Sequence, residues 1–438
     1  MLSILADRTY RHLFAAQIVA LLGTGLATVA LGLLAYDLAG QNAAMVLGTV
    51  FTIKMVAYVG VAPVAGAFAD RVNRRRLLVG LDLVRAACAL CLPFVTEAWQ
   101  VYLLIFVLQA ASAAFTPTFQ ATIPDVLPEE ARYTRALSLS RLAYDLENIV
   151  SPTLAALLLL MVSYDTLFFG TVLGFLGSAA LVVSVLLPSP APAAPRGVYD
   201  RTTRGIRIYL STPRLRGLLG LNLAVASAGA MVLVNSVVLV RGQLGLGESE
   251  LAWTMFAFGA GSMLAALVLP RLLDRLPDRP VMFTGSAVMV AGLLAFAATV
   301  ALSGLSWPVL LAFWFVIGVG YSTVQTPSGR LLRRSAHTED RPALFAAQFA
   351  LSHACWLVAY PLSGWLMTAF GAVPALVTLA LLAAFGILIA MKSWPTGDPS
   401  DVPHDHPELR ADHPHIHEGR HHSHVFVIDD LHHQWPER

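Results

Sequence analysis

The sequence predicts an all-α membrane protein with twelve transmembrane helices, and three observations lead to that prediction. Hydrophobic residues make up 57% of the 438 residues and charged residues only 13%, and the mean hydropathy is +0.67. A soluble domain carries about 25% charged residues, so most of this protein's surface faces lipid. Apolar runs of spanning length, about 20 residues, recur along the chain, and backbone groups in lipid must be paired within a helix.

Charged residues interrupt the apolar runs at intervals that match a bilayer. The runs predict spans at 12–36, 45–69, 77–96, 99–122, 136–161, 165–187, 216–240, 250–273, 281–303, 308–329, 342–369 and 372–392. The first run is too long for the apolar core of a cleavable signal peptide, so we predict that it is retained. The predicted organisation is an N-terminal six-helix half, a Pro/Arg-rich linker, a C-terminal six-helix half and a tail: 1–187, 188–215, 216–393 and 394–438.

Basic residues lie in alternate loops. Arginines follow spans 2, 4, 8 and 10 and fill the linker, whereas Arg241 is the only basic residue in the opposite set of loops. Because Lys and Arg favour the cytoplasmic side, we predict cytoplasmic termini and a multi-pass protein of the bacterial inner membrane. The net charge of +2 does not suggest a nucleic-acid partner, and the lipid bilayer is the expected partner.

The two halves repeat short motifs. Asp70-Arg71 after span 2 has a counterpart in Asp274-Arg275 after span 8. Duplicated halves around a midplane site are typical of secondary transporters.

The segment from Gly66 to Arg76 resembles the signature loop of the major facilitator superfamily, G-x-x-x-D-R-x-G-R-R. Asn73 replaces the second glycine, and because Asn tolerates left-handed backbone we expect the turn to be kept. The resemblance implies the major facilitator fold and a gating role for the residues that match the motif, Gly66, Asp70, Arg71, Arg74 and Arg75.

Histidines concentrate in the tail. Ten of the 13 histidines lie there: His404, His406, His413, His415, His417, His421, His422, His424, His432 and His433. Neutral imidazole is the commonest metal ligand, and imidazole with carboxylate suits nickel, zinc, cobalt and copper. We therefore predict a metal-binding tail, which lacks a hydrophobic period and is expected to be disordered without its ligand. The alternative is a low-complexity tail that binds metal only adventitiously.

A facilitator-type transporter followed by a His-rich tail is similar to the NreB-type nickel-resistance exporters, and the segments 8–14 and 138–147 resemble that group too. This resemblance implies Ni²⁺ as substrate and tail ligand, while ligand chemistry alone leaves Co²⁺ and Zn²⁺ open. The predicted function is a secondary active exporter of divalent metal ions that confers metal resistance by proton antiport and alternating access. Alternatives are an exporter of drugs, siderophores or other small organic molecules, and a metal sensor on the same scaffold.

Ionisable residues inside apolar runs are transport-site candidates because burying them in lipid is costly. Lys54 lies near the middle of span 2 and His353 near the middle of span 11. The resemblance makes these two spans neighbours, so we expect the two side chains to approach each other. In span 5, Asp145 can pair with Arg141, which leaves Glu147 near the midplane as a cation or proton site.

Other polar residues within the spans have more limited predicted roles. Asp82 and Arg85, three residues apart in span 3, predict a structural ion pair. Asn235 in span 7 is a neutral candidate for the cavity wall. The sequence contains no P-loop, nucleophile elbow or HExxH motif, so neither an enzyme nor a prosthetic group is expected.

Overall fold

The computed structural model describes residues 2–69, 73–129, 157–187, 198–273, 275–337, 340–398, 401–405 and 421–429, together with runs of one to three residues within 132–155 and 431–436. Twelve α-helices lie within these residues, and ten of the described helices are long and apolar enough to cross a membrane. The helices are α1 Arg8–Ala39, α2 Ala43–Ala69, α3 Arg74–Cys91, α4 Ala98–Val126, α5 Tyr164–Val183, α6 Val198–Ser211, α7 Pro213–Val237, α8 Glu248–Leu273, α9 Asp278–Ser303, α10 Trp307–Arg333, α11 Arg341–Phe370 and α12 Ala372–Ser393.

The helices follow the predicted spans closely, and the all-helical fold is confirmed. Spans 1–4 correspond to α1–α4, span 6 to α5 and spans 7–12 to α7–α12, while the described residues of span 5 at 154–155 and 157–158 are helical. Helix α1 begins at Arg8, four residues before the predicted span, with Asp7 as its N-cap: the Asp7 carboxylate accepts a hydrogen bond from the Tyr10 amide at 3.0 Å. Most of the helices are longer than the apolar runs because they continue into the headgroup layer, whereas α3 and α5 are slightly shorter than the predicted spans.

Arginines gather at one end of the bundle, which we call the arginine-rich end. There Arg75 of α3 donates to the carbonyl of Val183 at the end of α5. Likewise, Arg330 of α10 donates to the carbonyl of Leu273 at the end of α8, at 3.2 Å. We call the opposite end, which carries Arg241, the arginine-poor end. The contacts therefore bring together the alternate loops that the sequence predicts to share one side of the membrane.

The two halves pack their first and last helices in the same way, through close glycine contacts. In the N-terminal half, a Cβ added to Gly174 of α5 would lie 2.9 Å from the Val19 carbonyl oxygen of α1. In the C-terminal half, a Cβ added to Gly386 of α12 would lie 2.4 Å from the Gly220 carbonyl oxygen of α7. The shared packing supports the internal repeat inferred from the sequence.

Helices α2 and α11 join the two halves. A Cβ added to Gly48 would lie 2.9 Å from the Tyr360 carbonyl oxygen, and one added to Gly364 would lie 2.4 Å from the Ala44 carbonyl oxygen. These contacts lie toward the arginine-poor end, where α2 begins and α11 ends. The halves are therefore in close backbone contact at that end.

Part of the predicted linker is a helix. Helix α6 packs against α11, where the Arg204 guanidinium forms a bidentate ion pair with Asp340 at 2.5 and 3.0 Å. The buried Tyr209 hydroxyl donates to Gln348 at 2.5 Å. These contacts attach the described part of the linker to the C-terminal half.

The described parts of the tail are folded, which differs from the disorder that its composition predicts. Strand β1 (Asp401–Asp405) pairs antiparallel with β2 (His421–Val425). The Trp394 side chain is fully buried and packs on Gly217 of α7 and Phe283 of α9. A few large apolar side chains in a polar segment give no periodic signal, but each one can stabilise a docked structure by about 1.5–3 kcal/mol.

Charged contacts fix the tail to the arginine-rich end of the C-terminal half. The Asp398 carboxylate forms ion pairs with Arg334 and, at 3.7 Å, with Arg214 at the start of α7. The Trp435 ring lies 5.0 Å from the Arg214 guanidinium carbon. The described tail is therefore a structural part of this half.

Candidate transport site

Lys54 and His353 both lie close to one aromatic ring at the contact between α2 and α11. The Lys54 ammonium lies 5.6 Å from the centre of the Tyr58 ring, and the His353 imidazole lies 5.2 Å from the same ring. The structure thus brings the two residues to one place, as expected, with Tyr58 contacting both. Because α2 and α11 belong to different halves, relative motion of the halves would change the distance between the two side chains.

The His353 ring is held in one orientation. Its Nδ1 lies 2.6 Å from the Phe349 carbonyl oxygen, and since a carbonyl only accepts, Nδ1 donates. In the neutral ring Nε2 then keeps a lone pair. The Phe349 ring lies 4.0 Å from the imidazole. The histidine can therefore accept a proton or a hydrogen bond through Nε2 alone.

Aromatic side chains continue from this place along both helices. The Tyr360 ring lies 4.9 Å from the Phe51 ring and 4.9 Å from the Trp356 ring, and Tyr58 lies 5.6 Å from Phe349. We call the set the aromatic seam: Phe51, Tyr58, Phe349, His353, Trp356 and Tyr360. Sequence reasoning missed it, because aromatic residues within apolar helices look like ordinary membrane residues. The available signal was the seven-residue spacing of Phe51 and Tyr58, which puts them on one helix face.

A small cavity of about 30 Å³ adjoins Lys54 within the N-terminal half. Its polar lining includes Gln109 and the hydroxyls of Thr24, Thr28 and Thr171. The cavity has room for a water-sized occupant, and its described walls otherwise consist of aliphatic and aromatic groups.

The remaining transport candidates have different surroundings. Asn235 is fully buried, and its amide donates to the Ser363 hydroxyl of α11 at 2.9 Å. This hydrogen bond joins α7 to α11, and Asn235 does not line the described cavity beside Lys54. Asp145 and Glu147 lie outside the described residues.

The predicted ion pair in α3 is confirmed. The Arg85 guanidinium donates to the fully buried Asp82 carboxylate, and the Ser178 hydroxyl of α5 donates to the other carboxylate oxygen at 2.8 Å. The guanidinium carbon lies 4.0 Å from the Phe115 ring and 4.5 Å from the Phe175 ring. Two buried charges are thus surrounded by partners, as a structural pair requires.

The described gating-motif residues lie at the end of α2 and the start of α3. Gly66 lies in α2, Arg74 is buried at the start of α3, and Asp70 and Arg71 lie outside the described residues. Asn73 does not adopt the left-handed conformation discussed for the signature glycine: its φ is −58°, and it caps α3 by accepting from the Arg76 amide at 3.1 Å. Asn is a favoured N-cap because its side-chain oxygen satisfies a free amide.

The tail histidines divide into three groups. His404 lies in β1 opposite His422 of β2, and in the same pair Asp405 lies opposite His421 and Val402 opposite His424. His432 is buried, and its Nδ1 lies 2.9 Å from Asp429. The remaining ones lie outside the described residues: His406, His413, His415, His417 and His433. Within the part of the chain that the structure describes, no group of three or more His, Cys, Asp or Glu residues is placed to hold a metal ion.

Two repeated helical halves that meet at a polar and aromatic midplane contact define a secondary membrane transporter. The family model of the Major Facilitator Superfamily matches residues 13–237 and, a second time, residues 218–419. The chain belongs to this superfamily.

Several relatives are similar over part or most of their length. The uncharacterized MFS-type transporter YfiS of Bacillus subtilis is 25% identical over 65% of this chain and 69% of the relative. Macrolide efflux protein A of Streptococcus pyogenes is 28% identical over 40% of this chain, which spans 44% of that protein. Multidrug resistance protein MdtG of Dickeya zeae is 27% identical over 36% of this chain and 38% of the relative.

Solved structures show the same fold. A mutant of the nucleoside transporter NupG superposes with a TM-score of 0.69 at 13% identity, covering 88% of this chain and 98% of that one. A bacterial homolog of the human lysosomal transporter Spinster, inward-facing and unoccupied, gives 0.69 at 12% identity, covering 89% and 99%.

Proposed function

We propose that this protein is a secondary active exporter of small organic molecules with aromatic or apolar bodies, in the bacterial inner membrane. The aromatic seam carries the proposal, because its rings lie at the contact between the halves. Aromatic faces bind flat apolar groups with about 0.5–1.5 kcal/mol per ring pair beyond simple burial. The similarity to proteins named for macrolide efflux and multidrug resistance supports the same cargo class.

Transport would proceed by alternating access, with one half rocking against the other around the seam. In this proposal Lys54, Gln109 and the free Nε2 of His353 give polar contacts that orient the cargo. Inward proton flow drives export, and Glu147 or His353 carries the proton.

Export of divalent transition metals, with Ni²⁺ before Co²⁺ and Zn²⁺, is the second candidate, and the histidine tail favours it. The strand register puts His404 opposite His422, with His424 two residues farther on, and opposite positions in an antiparallel pair share one face. Under this candidate the tail gathers cytoplasmic metal, proton antiport exports it, and the host gains metal resistance. Metal export ranks second because the described lining of the cavity beside Lys54 includes that lysine and no carboxylate.

Accumulation assays in cells that lack their own efflux systems separate the two candidates. We would measure a labelled macrolide antibiotic and, in parallel, intracellular Ni²⁺, Co²⁺ and Zn²⁺. We expect the chain to lower macrolide accumulation and Trp356→Ala to raise the KM for export roughly 2- to 10-fold, from the loss of one ring contact. Trp365→Ala is the matched control, since this tryptophan of the same helix is 48% exposed and lies outside the aromatic seam.

A second variant tests the metal candidate without removing the docked tail. It replaces every tail histidine except the buried His432 with glutamine. If the parent chain selectively lowers intracellular nickel and this variant does not, the protein exports metal instead of organic molecules. Unchanged macrolide and metal levels with a well-expressed chain would contradict both candidates.

A further inference from the structure

We propose that Arg241 is a latch between the two halves at the arginine-poor end, and that its partner exchange accompanies opening of the transporter on that side. The inference does not depend on which cargo is carried. It rests on the contacts of Arg241, on its backbone and on the charges around it.

Arg241 contacts both halves at once. Its Nη1 lies 3.8 Å from an Asp37 carboxylate oxygen of α1 and 3.5 Å from a Glu248 carboxylate oxygen of α8. Its guanidinium carbon lies 5.1 Å from the ring of Tyr36, also in α1. Asp37 and Tyr36 belong to the N-terminal half, whereas Glu248 belongs to the same half as Arg241.

The backbone that carries Arg241 is unusual. Residues Val238–Gln243 continue α7 as a π-helix. Single π turns are rare, occur frequently at functional sites, and locally loosen the regular helical ladder. The same turn contacts Gly40–Asn42, the connection between α1 and α2. A helix end of this kind can shift its side chain while the rest of α7 stays packed.

Arg241 is the only basic residue in the sequence near this end of the helices, whereas Asp37, Glu97, Asp165, Glu248 and Glu250 are acidic. No neighbouring cation can therefore replace Arg241 in pairing with Asp37. The close backbone contacts of Gly48 and Gly364 lie toward the same end, so the halves must separate here for cargo to leave. When they separate, Arg241 loses Asp37 but keeps Glu248, which moves with it.

The energetic contribution of the latch is modest. Asp37 is 43% exposed, and exposed ion pairs contribute about 0.2–1 kcal/mol. Loss of the Asp37 contact therefore changes the ratio of closed to open conformations by about fivefold at most. A latch of this strength favours the closed end without preventing the halves from separating.

Spin labels across the arginine-poor end test the proposal. The three native cysteines are replaced, and new cysteines at Asn42 and Gln243 carry the spin labels. Pulsed electron paramagnetic resonance then measures the distance between the two halves. We expect Arg241→Ala and Asp37→Asn each to increase the long-distance population by up to about fivefold. Glu248→Gln, the matched control within one half, is expected to leave the distances unchanged.

A variant with the two charges swapped distinguishes loss of the Asp37–Arg241 ion pair from a general loosening of this end. Asp37→Lys combined with Arg241→Glu is expected to restore the short distance that either substitution alone removes. Identical distance distributions for the parent chain, Arg241→Ala and Asp37→Asn would overturn the proposal. An equal effect of Glu248→Gln would also overturn it, since that contact does not cross between the halves.

Discussion

The two halves satisfy a buried arginine by different means. In the N-terminal half, Arg85 finds its carboxylate one helical turn away, in Asp82 of the same helix. In the C-terminal half, Arg214 is only 1% exposed, and its carboxylate partner Asp398 comes from the tail. The buried arginine of the N-terminal half is thus paired within its own helix, whereas that of the C-terminal half depends on a segment outside the repeat.

The repeat shows how this difference is built. At the offset that relates Asp70 to Asp274, the position of Asp82 falls on Ser286, and that of Arg85 falls on Met289. Both of these residues are buried. The C-terminal half therefore has no such pair at the corresponding positions of α9. Its buried cation lies at the start of α7, where the tail can reach it.

The largest expected effect follows from breaking the pair within the N-terminal half. Asp82→Ala leaves the buried Arg85 without its carboxylate, so we expect a loss of about 3–5 kcal/mol in stability. Thermal unfolding of the purified protein in detergent would show this as a lower midpoint. Combining Asp82→Ala with Arg85→Met should recover most of the loss, because replacing both charges by apolar groups is often nearly neutral. If the double variant is no more stable than the single one, the pair is not the source of the effect.

The same contrast shows what sequence could and could not predict. The helices follow from apolar runs, and the Asp82–Arg85 pair follows from a spacing of three residues on one helix. The approach of Lys54 to His353 was foreseen only through the family resemblance, which makes their helices neighbours, and their shared contact with Tyr58 was not foreseen. Spacing carries no information about contacts between segments far apart in the chain, such as that of Trp394 with Gly217.

The described parts of the tail differ from the predicted disorder, for a physical reason. Its polar composition predicts disorder because disorder is inferred from the average of many residues. Docking depends instead on a few side chains, among them Trp394, Phe426 and Ile428, which are buried on the C-terminal half. The histidines that dominate the composition drew attention to metal binding, and whether they bind metal stays a prediction.

A smaller effect is expected from breaking the contact between the tail and the C-terminal half. Asp398→Ala removes the carboxylate shared by Arg214 and Arg334, and we expect a loss of about 1.5–3 kcal/mol, as for other hydrogen bonds to charged groups. Asp401→Ala, an exposed carboxylate in the same tail, is the matched control. Hydrogen exchange should show faster exchange at 421–428 in Asp398→Ala only. Equal exchange in both variants would mean that apolar contacts alone hold the tail.

The smallest effect is a pH dependence of tail docking, carried by Asp429. Partial burial raises the pKa of this carboxyl, but hydrogen bonds from the His432 ring and from the amides of Leu431 and His432 outweigh it, and the pKa lies well below its ordinary value. The His337 ring, 3.2 Å away, also faces the carboxylate. Because the folded pKa is below the unfolded value of about 3.9, Asp429 stabilises docking above about pH 4, and this contribution is lost as the pH falls further.

Hydrogen exchange of the backbone amides of residues 421–428, measured from pH 6 to pH 3, tests the predicted direction of this pH dependence. In the parent chain we expect constant protection down to about pH 4 and a decline below it. In Asp429→Asn the protection should be lower at pH 6 and should fall less steeply, because the titrating group is gone. Asp401→Asn should follow the parent chain. A decline of equal steepness in Asp429→Asn would assign the acid sensitivity to other carboxylates, with Asp398 the next to replace, since it too pairs the tail with the C-terminal half.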